Sequence, residues 1–170
     1  MLKRLARIFR HRWLDEADTR RAIPPDVVQR LMQRVAASER RHTGEIRVYV
    51  ESGLPLSYLW RDAAPRERAI ALFGKLRVWD TEQNNGVLIY LLLAEHAIEI
   101  VADRGVAKKV DPGLWQEVVQ HMRAAFRDGR FEEGLNQALD EVTALLVAHF
   151  PAREGGAGDV NELPDEPVLG

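Results

Sequence analysis

The sequence contains no cysteine. That excludes a disulfide framework, a thiolate zinc site, an iron–sulfur cluster and a cysteine nucleophile, and it fits a reducing compartment. A large excess of one charge is also missing: 24 basic and 26 acidic residues leave a formal charge of -2. A broad nucleic-acid surface normally needs a basic excess, so nucleic acid is excluded as a partner of the folded part. There is no G-x-S-x-G, no phosphate loop and no dinucleotide fingerprint. The five histidines (His11, His42, His96, His121, His149) are scattered, and no pair has the helical spacing of a zinc motif. Four tryptophans at irregular spacing, with no basic groove beside them, read as packing rather than a stacking platform. No internal repeat is visible. What is present is 170 residues, 46% hydrophobic and 29% charged, enough for one soluble globular domain with a buried core.

The near-neutral total conceals two charged ends. Residues 1–14 carry Lys3, Arg4, Arg7, Arg10 and Arg12 with no acid; residues 154–170 carry Glu154, Asp159, Glu162, Asp165 and Glu166 with no base. Three parts are expected: a basic amphipathic segment 1–22, a domain over 23–150 and an acidic flexible tail 151–170. The first segment spaces Leu2, Leu5, Ile8 or Phe9, and Trp13 at helical intervals. It is too short and too charged to span a bilayer, and it lacks the apolar run of a signal peptide. Two readings fit it: a helix docking its apolar stripe on the domain, or a helix lying on anionic lipid with its basic side chains at the headgroups. The tail follows Gly155-Gly156-Ala157-Gly158 and restores Leu163, Val168 and Leu169 among acids and prolines. It reads as disordered, or as an extended docking peptide that folds back on its domain, toward the basic start, or onto a partner.

Between the ends, apolar periodicity predicts a helix over 25–41 through Val27, Val28, Leu31, Met32 and Val35. A strand follows over 45–51, with Ile46, Val48 and Val50 covered and Glu45, Arg47, Tyr49 and Glu51 facing out. A loop carrying Leu54, Leu56, Tyr58, Leu59 and Trp60 leads to a helix over 65–77. That helix directs Ile70, Leu72, Phe73 and Leu76 to the core. The apolar run from Val87 to Leu93 is a central strand covered on both faces. Glu95-His96 reverses the chain into a strand over 97–102. Asp111-Pro112 opens a helix with Leu114, Trp115, Val118, Val119, Met122, Ala125 and Phe126 on one face; Gly129 ends it. A last helix spans 131–150. The sum is a single-domain α/β/α sandwich with a small mixed sheet: a crossover helix joins two parallel strands, and a hairpin leads to an antiparallel third.

That topology brings Asp80, Glu82, Asn84, Asn85 and Asp103 to one sheet edge, an oxygen-rich set of the kind that calcium or magnesium prefers. The spacing lacks the glycine and bidentate glutamate of an EF-hand. The alternative is a solvated turn, with Asn85-Gly86 present for its backbone conformation and Asp103 capping the next element. Arg104 and Gly105 form a short turn whose amides suit an anion.

Thr43-Gly44-Glu45-Ile46-Arg47-Val48, Asn84-Asn85-Gly86-Val87-Leu88-Ile89-Tyr90 and Ile98-Glu99-Ile100-Val101-Ala102-Asp103-Arg104-Gly105 resemble the TPM domain. That family is named after a thylakoid lumen protein, a photosystem II repair protein and a nematode receptor modulator. The chain is similar to its short, single-domain proteobacterial members over roughly 20–150. The resemblance implies an α/β/α sandwich, divalent-ion binding through acidic loops in some members, and acid phosphatase activity in a plant member. Many members are exported or membrane-tethered, often beside membrane proteins of the LemA type. By matching position it carries over Asn84, Asn85, Gly86 and Asp103; Asp80 and Glu82 rest on the topology. With no cleavable signal or transmembrane tail recognised, the expected location is the cytoplasm, with any peripheral membrane contact made by the basic segment.

The sequence supports two expectations of function. One is a non-catalytic, divalent-ion-linked binding module supporting assembly or maintenance of a membrane-associated complex. The other is a metal-assisted phosphatase, its carboxylates holding an ion that lowers the pKa of a bound water while Arg104 clamps the phosphate.

Overall fold

The structure, a computed structural model, describes residues 2–152 and 161–170. The elements run α1 (Leu2–Trp13), α2 (Glu16–Ala22), α3 (Pro25–Glu39), β1 (Glu45–Glu51), α4 (Leu56–Trp60), α5 (Pro65–Lys75), β2 (Gly86–Leu92), β3 (Ala97–Ala102), α6 (Arg104–Ala107), α7 (Pro112–Arg127), α8 (Phe131–His149) and β4 (Val168–Leu169). The sheet order is β3-β2-β1-β4. β1 runs parallel to β2, with Glu45 opposite Gly86; β3 pairs antiparallel to β2, with Ala102 opposite Val87. This is the expected mixed sheet, with one additional strand.

β2 lies at the centre and every residue of it is buried. Val87, Ile89 and Leu91 face a core made with α3, α7 and α8 through Leu31, Val35, Met122, Phe126 and Leu146. Leu88, Tyr90 and Leu92 face a second core with Leu59, Ala69, Leu72 and Val78. Alternate side chains of a strand point to opposite faces, so a strand apolar on both phases requires helices on both sides. No helix among the described residues is long and apolar enough to cross a membrane.

Local chemistry sets the ends. Pro25 occupies the first turn of α3, where its missing N–H leaves no intrahelical bond unmade. Asp111 caps α7, accepting from the Gly113 N–H at 2.7 Å, and Gly129 stops it with φ of +72°. Asp15 and Asp18 form a reciprocal capping box at α2. That seven-residue helix, with α4 and α6, goes beyond the sequence expectation because none is long enough to show a period.

Several expectations are corrected. β1 is buried on both faces, not one. Its polar side is covered by the C-terminal segment and by α5, whose Arg68 pairs with Glu51. Ile70 is 53% exposed, and Ala69 takes its place against the core; Leu114 at the start of α7 is 39% exposed. Residues 161–170 are not a flexible tail: β4 pairs parallel to β1, and Leu163 and Pro167 are buried. Gly155 to Gly158, Glu154 and Asp159 lie outside the described residues. The segment folds back onto β1 and α2, where Thr19 Oγ1 donates to the Gly170 carbonyl at 3.1 Å; among the described residues no hydrogen bond or ion pair ties it to residues 1–14.

Candidate functional site

The edge where β2 begins and β3 ends is assembled by backbone bonds. The Asp103 N–H donates to the Gly86 carbonyl at 2.8 Å, one pair beyond the register of the strands, and the Gly105 N–H donates to the Asn84 carbonyl at 2.9 Å. Asn84 takes the left-handed conformation that turns the chain into β2, with φ of +52°. Gly86 is required for close approach rather than for its dihedral: a Cβ there would stand 2.0 Å from the Val78 carbonyl oxygen.

Asn85 is fully buried, so the segment is not simply a solvated turn. Its Nδ2 donates to the Thr43 carbonyl at 2.8 Å and its backbone N–H to Thr81 Oγ1 at 3.0 Å. Its Oδ1 has no partner. Asp103 is 8% exposed. It caps α6 as expected, Oδ1 accepting the Arg104 N–H at 2.7 Å, while Oδ2 is buried without a partner. Each such unsatisfied oxygen costs about 1–3 kcal/mol.

The structure thus brings Asn84, Asn85, Asp103, Arg104 and Gly105 together. Arg104 Nε donates to Asn84 Oδ1 at 3.0 Å, and the Arg104 and Gly105 amides are both taken, so the expected anion turn has no free backbone donor. The other two acids point elsewhere. Asp80 pairs with Arg77. Glu82 has an exposed side chain, and its backbone N–H donates to the Glu162 carboxylate at 2.9 Å. Among the described residues no three His, Asp or Glu side chains converge to hold a metal ion. Among the described residues this edge therefore presents no acidic triad of the kind that holds calcium.

Thr43 and Thr81, which hold Asn85, were not singled out by the sequence. Thr43 does lie in the first family-like block, and that is the signal that pointed to it. A second polar assembly left no mark in the sequence pattern. Ser38 Oγ lies 2.8 Å from His42 Nε2 and 2.5 Å from Thr143 Oγ1, and all three residues are buried. Burial pushes the His42 imidazole down to about 4, with the Gly44 backbone opposing, so it is neutral and closed off from any substrate.

The basic segment is divided by its contacts. Arg7 bonds Glu95, Asp62 and the Ala63 carbonyl, and Arg4 bonds the Trp60 carbonyl. Arg10 and Arg12 are exposed, and the Lys3 side chain lies outside the described residues. Among the described residues no ion pair joins this segment to the tail.

The TPM domain family model matches residues 17–145. No curated protein matches the chain. Among solved structures, the BA42 protein from the psychrophilic bacterium Bizionia argentinensis superposes with a TM-score of 0.74 at 24% identity, covering 87% of this chain and 95% of that one. The N-terminal domain of a P. gingivalis protein superposes with a TM-score of 0.60 at 21% identity, covering 75% and 81%. At these identities the two structures establish the shared fold, and the family model, spanning well over half the sequence, establishes the lineage: the chain belongs to the TPM domain family.

Proposed function

We propose that the chain is a non-catalytic TPM-type binding module. It takes a divalent cation, calcium or magnesium, at the Asn85–Asp103 edge and supports assembly or maintenance of a membrane-associated complex. The observation that carries this reading is the pair of buried, unpartnered oxygens, Asn85 Oδ1 and Asp103 Oδ2, on adjoining segments. A hard cation satisfies amide and carboxylate oxygens of this kind. Binding is favoured over turnover because the groups that would act on a substrate are committed. Arg104 is tied to Asn84, one Asp103 oxygen holds α6, and the Ser38–His42 pair is sealed in the core. A membrane protein of the LemA type is the partner class that the family likeness suggests.

Isothermal titration of calcium and of magnesium into the full chain tests this. Heat is expected for the wild type and is expected to vanish in Asp103→Asn, with the melting temperature of the metal-free variant close to wild type. No heat at millimolar concentration of either ion would remove the cation. Hydrolysis of an aryl phosphate that persists to homogeneity and disappears in Asp103→Asn would replace the binding module with a metal-assisted phosphatase.

A further inference from the structure

Helix α1 is docked by its polar side. His11 is 3% exposed; its Nδ1 accepts the Leu54 N–H at 2.9 Å, which leaves Nε2–H to donate to Glu95 Oε1 at 2.8 Å. Four residues earlier, Arg7 Nε donates to the same oxygen at 2.7 Å. Arg4 and the half-buried Ile8 complete the inner face. The seat is tight: a Cβ on Gly53 would stand 2.6 Å from the His11 carbonyl oxygen.

Residues spaced by four share a helix face, and the stripe opposite Arg7 and His11 is Leu5, Phe9 and Trp13. These are 49%, 69% and 85% exposed. α4, on which α1 packs, adds exposed Leu56 and Trp60. An amphipathic helix ordinarily buries its apolar stripe, and this one is turned inside out. Arg10 and Arg12 are exposed and, at about 100° per residue, flank the apolar stripe on its two sides.

We infer that α1 is a membrane-surface helix: Leu5, Phe9 and Trp13 enter the acyl boundary of an anionic bilayer while Arg10 and Arg12 meet the headgroups. Charge decides between the candidate occupants. A second copy docking by the same stripe would set its Arg10 and Arg12 against their equivalents, whereas anionic lipid complements them. The resulting orientation rests on the proposed function: β2 runs from the Asn85 edge toward Leu93–Glu95, where α1 is fastened. The seven residues of β2, at about 3.3 Å each, separate the two, so a membrane-bound molecule holds its ligand edge about 20 Å from α1.

The test is co-sedimentation of the full chain with vesicles of phosphatidylcholine alone or with about 30% phosphatidylglycerol, with dimerisation followed by light scattering. Binding is expected only with the anionic lipid. It should weaken about tenfold or more in Phe9→Glu/Trp13→Glu, and similarly in Arg10→Glu/Arg12→Glu. All four side chains are exposed, so circular dichroism and melting should match wild type. No partition of the wild type, or undiminished partition of Phe9→Glu/Trp13→Glu, overturns the inference. So does a concentration-dependent dimer abolished by Phe9→Glu/Trp13→Glu without vesicle binding, which would make a second copy the occupant. Vesicle binding is read without added divalent ion, so its failure and a failure of cation binding are separate results.

Discussion

Glu45 Oε1 accepts the backbone N–H of Glu162 at 3.0 Å, fastening β1 to a segment 117 residues later. The second oxygen of Glu45 accepts the Leu163 N–H at 3.3 Å, and Arg47 reaches the Glu166 carbonyl at 3.2 Å. An acidic strand edge and an acidic peptide meet because the peptide presents backbone donors, not its carboxylates, to Glu45. The arrangement desolvates Glu45 and Arg47: burial raises the Glu45 carboxyl and lowers the Arg47 guanidinium.

Removing residues 161–170 should therefore destabilise the fold. It uncovers the polar side of β1 and removes the buried Leu163 and the parallel pairing of Tyr49 with Val168 and Val50 with Leu169. A loss of about 2–3 kcal/mol is expected, lowering the melting temperature by roughly 5–10 °C in a domain of this size. An unchanged melting temperature would mean that the segment contributes nothing in solution.

Stability should also have two pH limbs. Burial pushes the Glu39 carboxyl up to about 9 from 4.5, with the Ile46 N–H opposing and Glu45 and Asp165 reinforcing. The folded chain holds that proton when the unfolded chain has released it. The contribution is complete below about pH 4.5 and is lost as pH rises toward about 9. His42 acts in the opposite sense: pushed down to about 4 from 6.5, it contributes fully above pH 6.5 and loses its contribution as pH falls through 4. Melting should thus fall by roughly 5 °C or more between about pH 6.5 and 9, and Glu39→Gln should flatten that limb while leaving the acid one. An equal slope in wild type and Glu39→Gln would contradict a protonated carboxyl at this position.

A third prediction concerns Arg68, which grips Glu51 with bonds of 2.6 and 3.0 Å while Tyr90 donates to the same carboxylate at 2.9 Å. Arg68→Met strands a carboxylate that is 7% exposed and should cost about 3 kcal/mol. Adding Glu51→Gln should restore at least half of that, because the pair's own desolvation disappears with its charge. Denaturant titrations of the four members of the cycle measure this, and additive losses would show that the two residues are not coupled.

β1, β2, β3 and the main helices were legible because each declares itself locally; β4 was not, being two residues long and defined only by its pairing with β1. The uniformly apolar Val87 to Leu93, seven residues opened by Asn85-Gly86, reads as a doubly covered strand, and Asp111-Pro112 is a helix start signal. The meeting of Asn84, Asn85 and Asp103 was legible as well, since a hairpin must return β3 to the end where β2 began. The direction of Asp80 and Glu82 was not, because their position at the edge leaves open whether a neighbouring arginine or a backbone donor claims them.

The absence of cysteine and the opposed charges of the two ends are properties of the sequence alone. So are the apolar periods that fix an α/β/α sandwich. Tertiary structure decided which face each end presents. The alternation in β1 reads as half-exposed until a segment more than a hundred residues later covers it. The stripe in α1 reads as a docking face or a lipid face until His11 and Arg7 find Glu95 and turn it outward. Periodicity reports that two faces differ; which one is buried depends on the partner groups that long-range contacts supply.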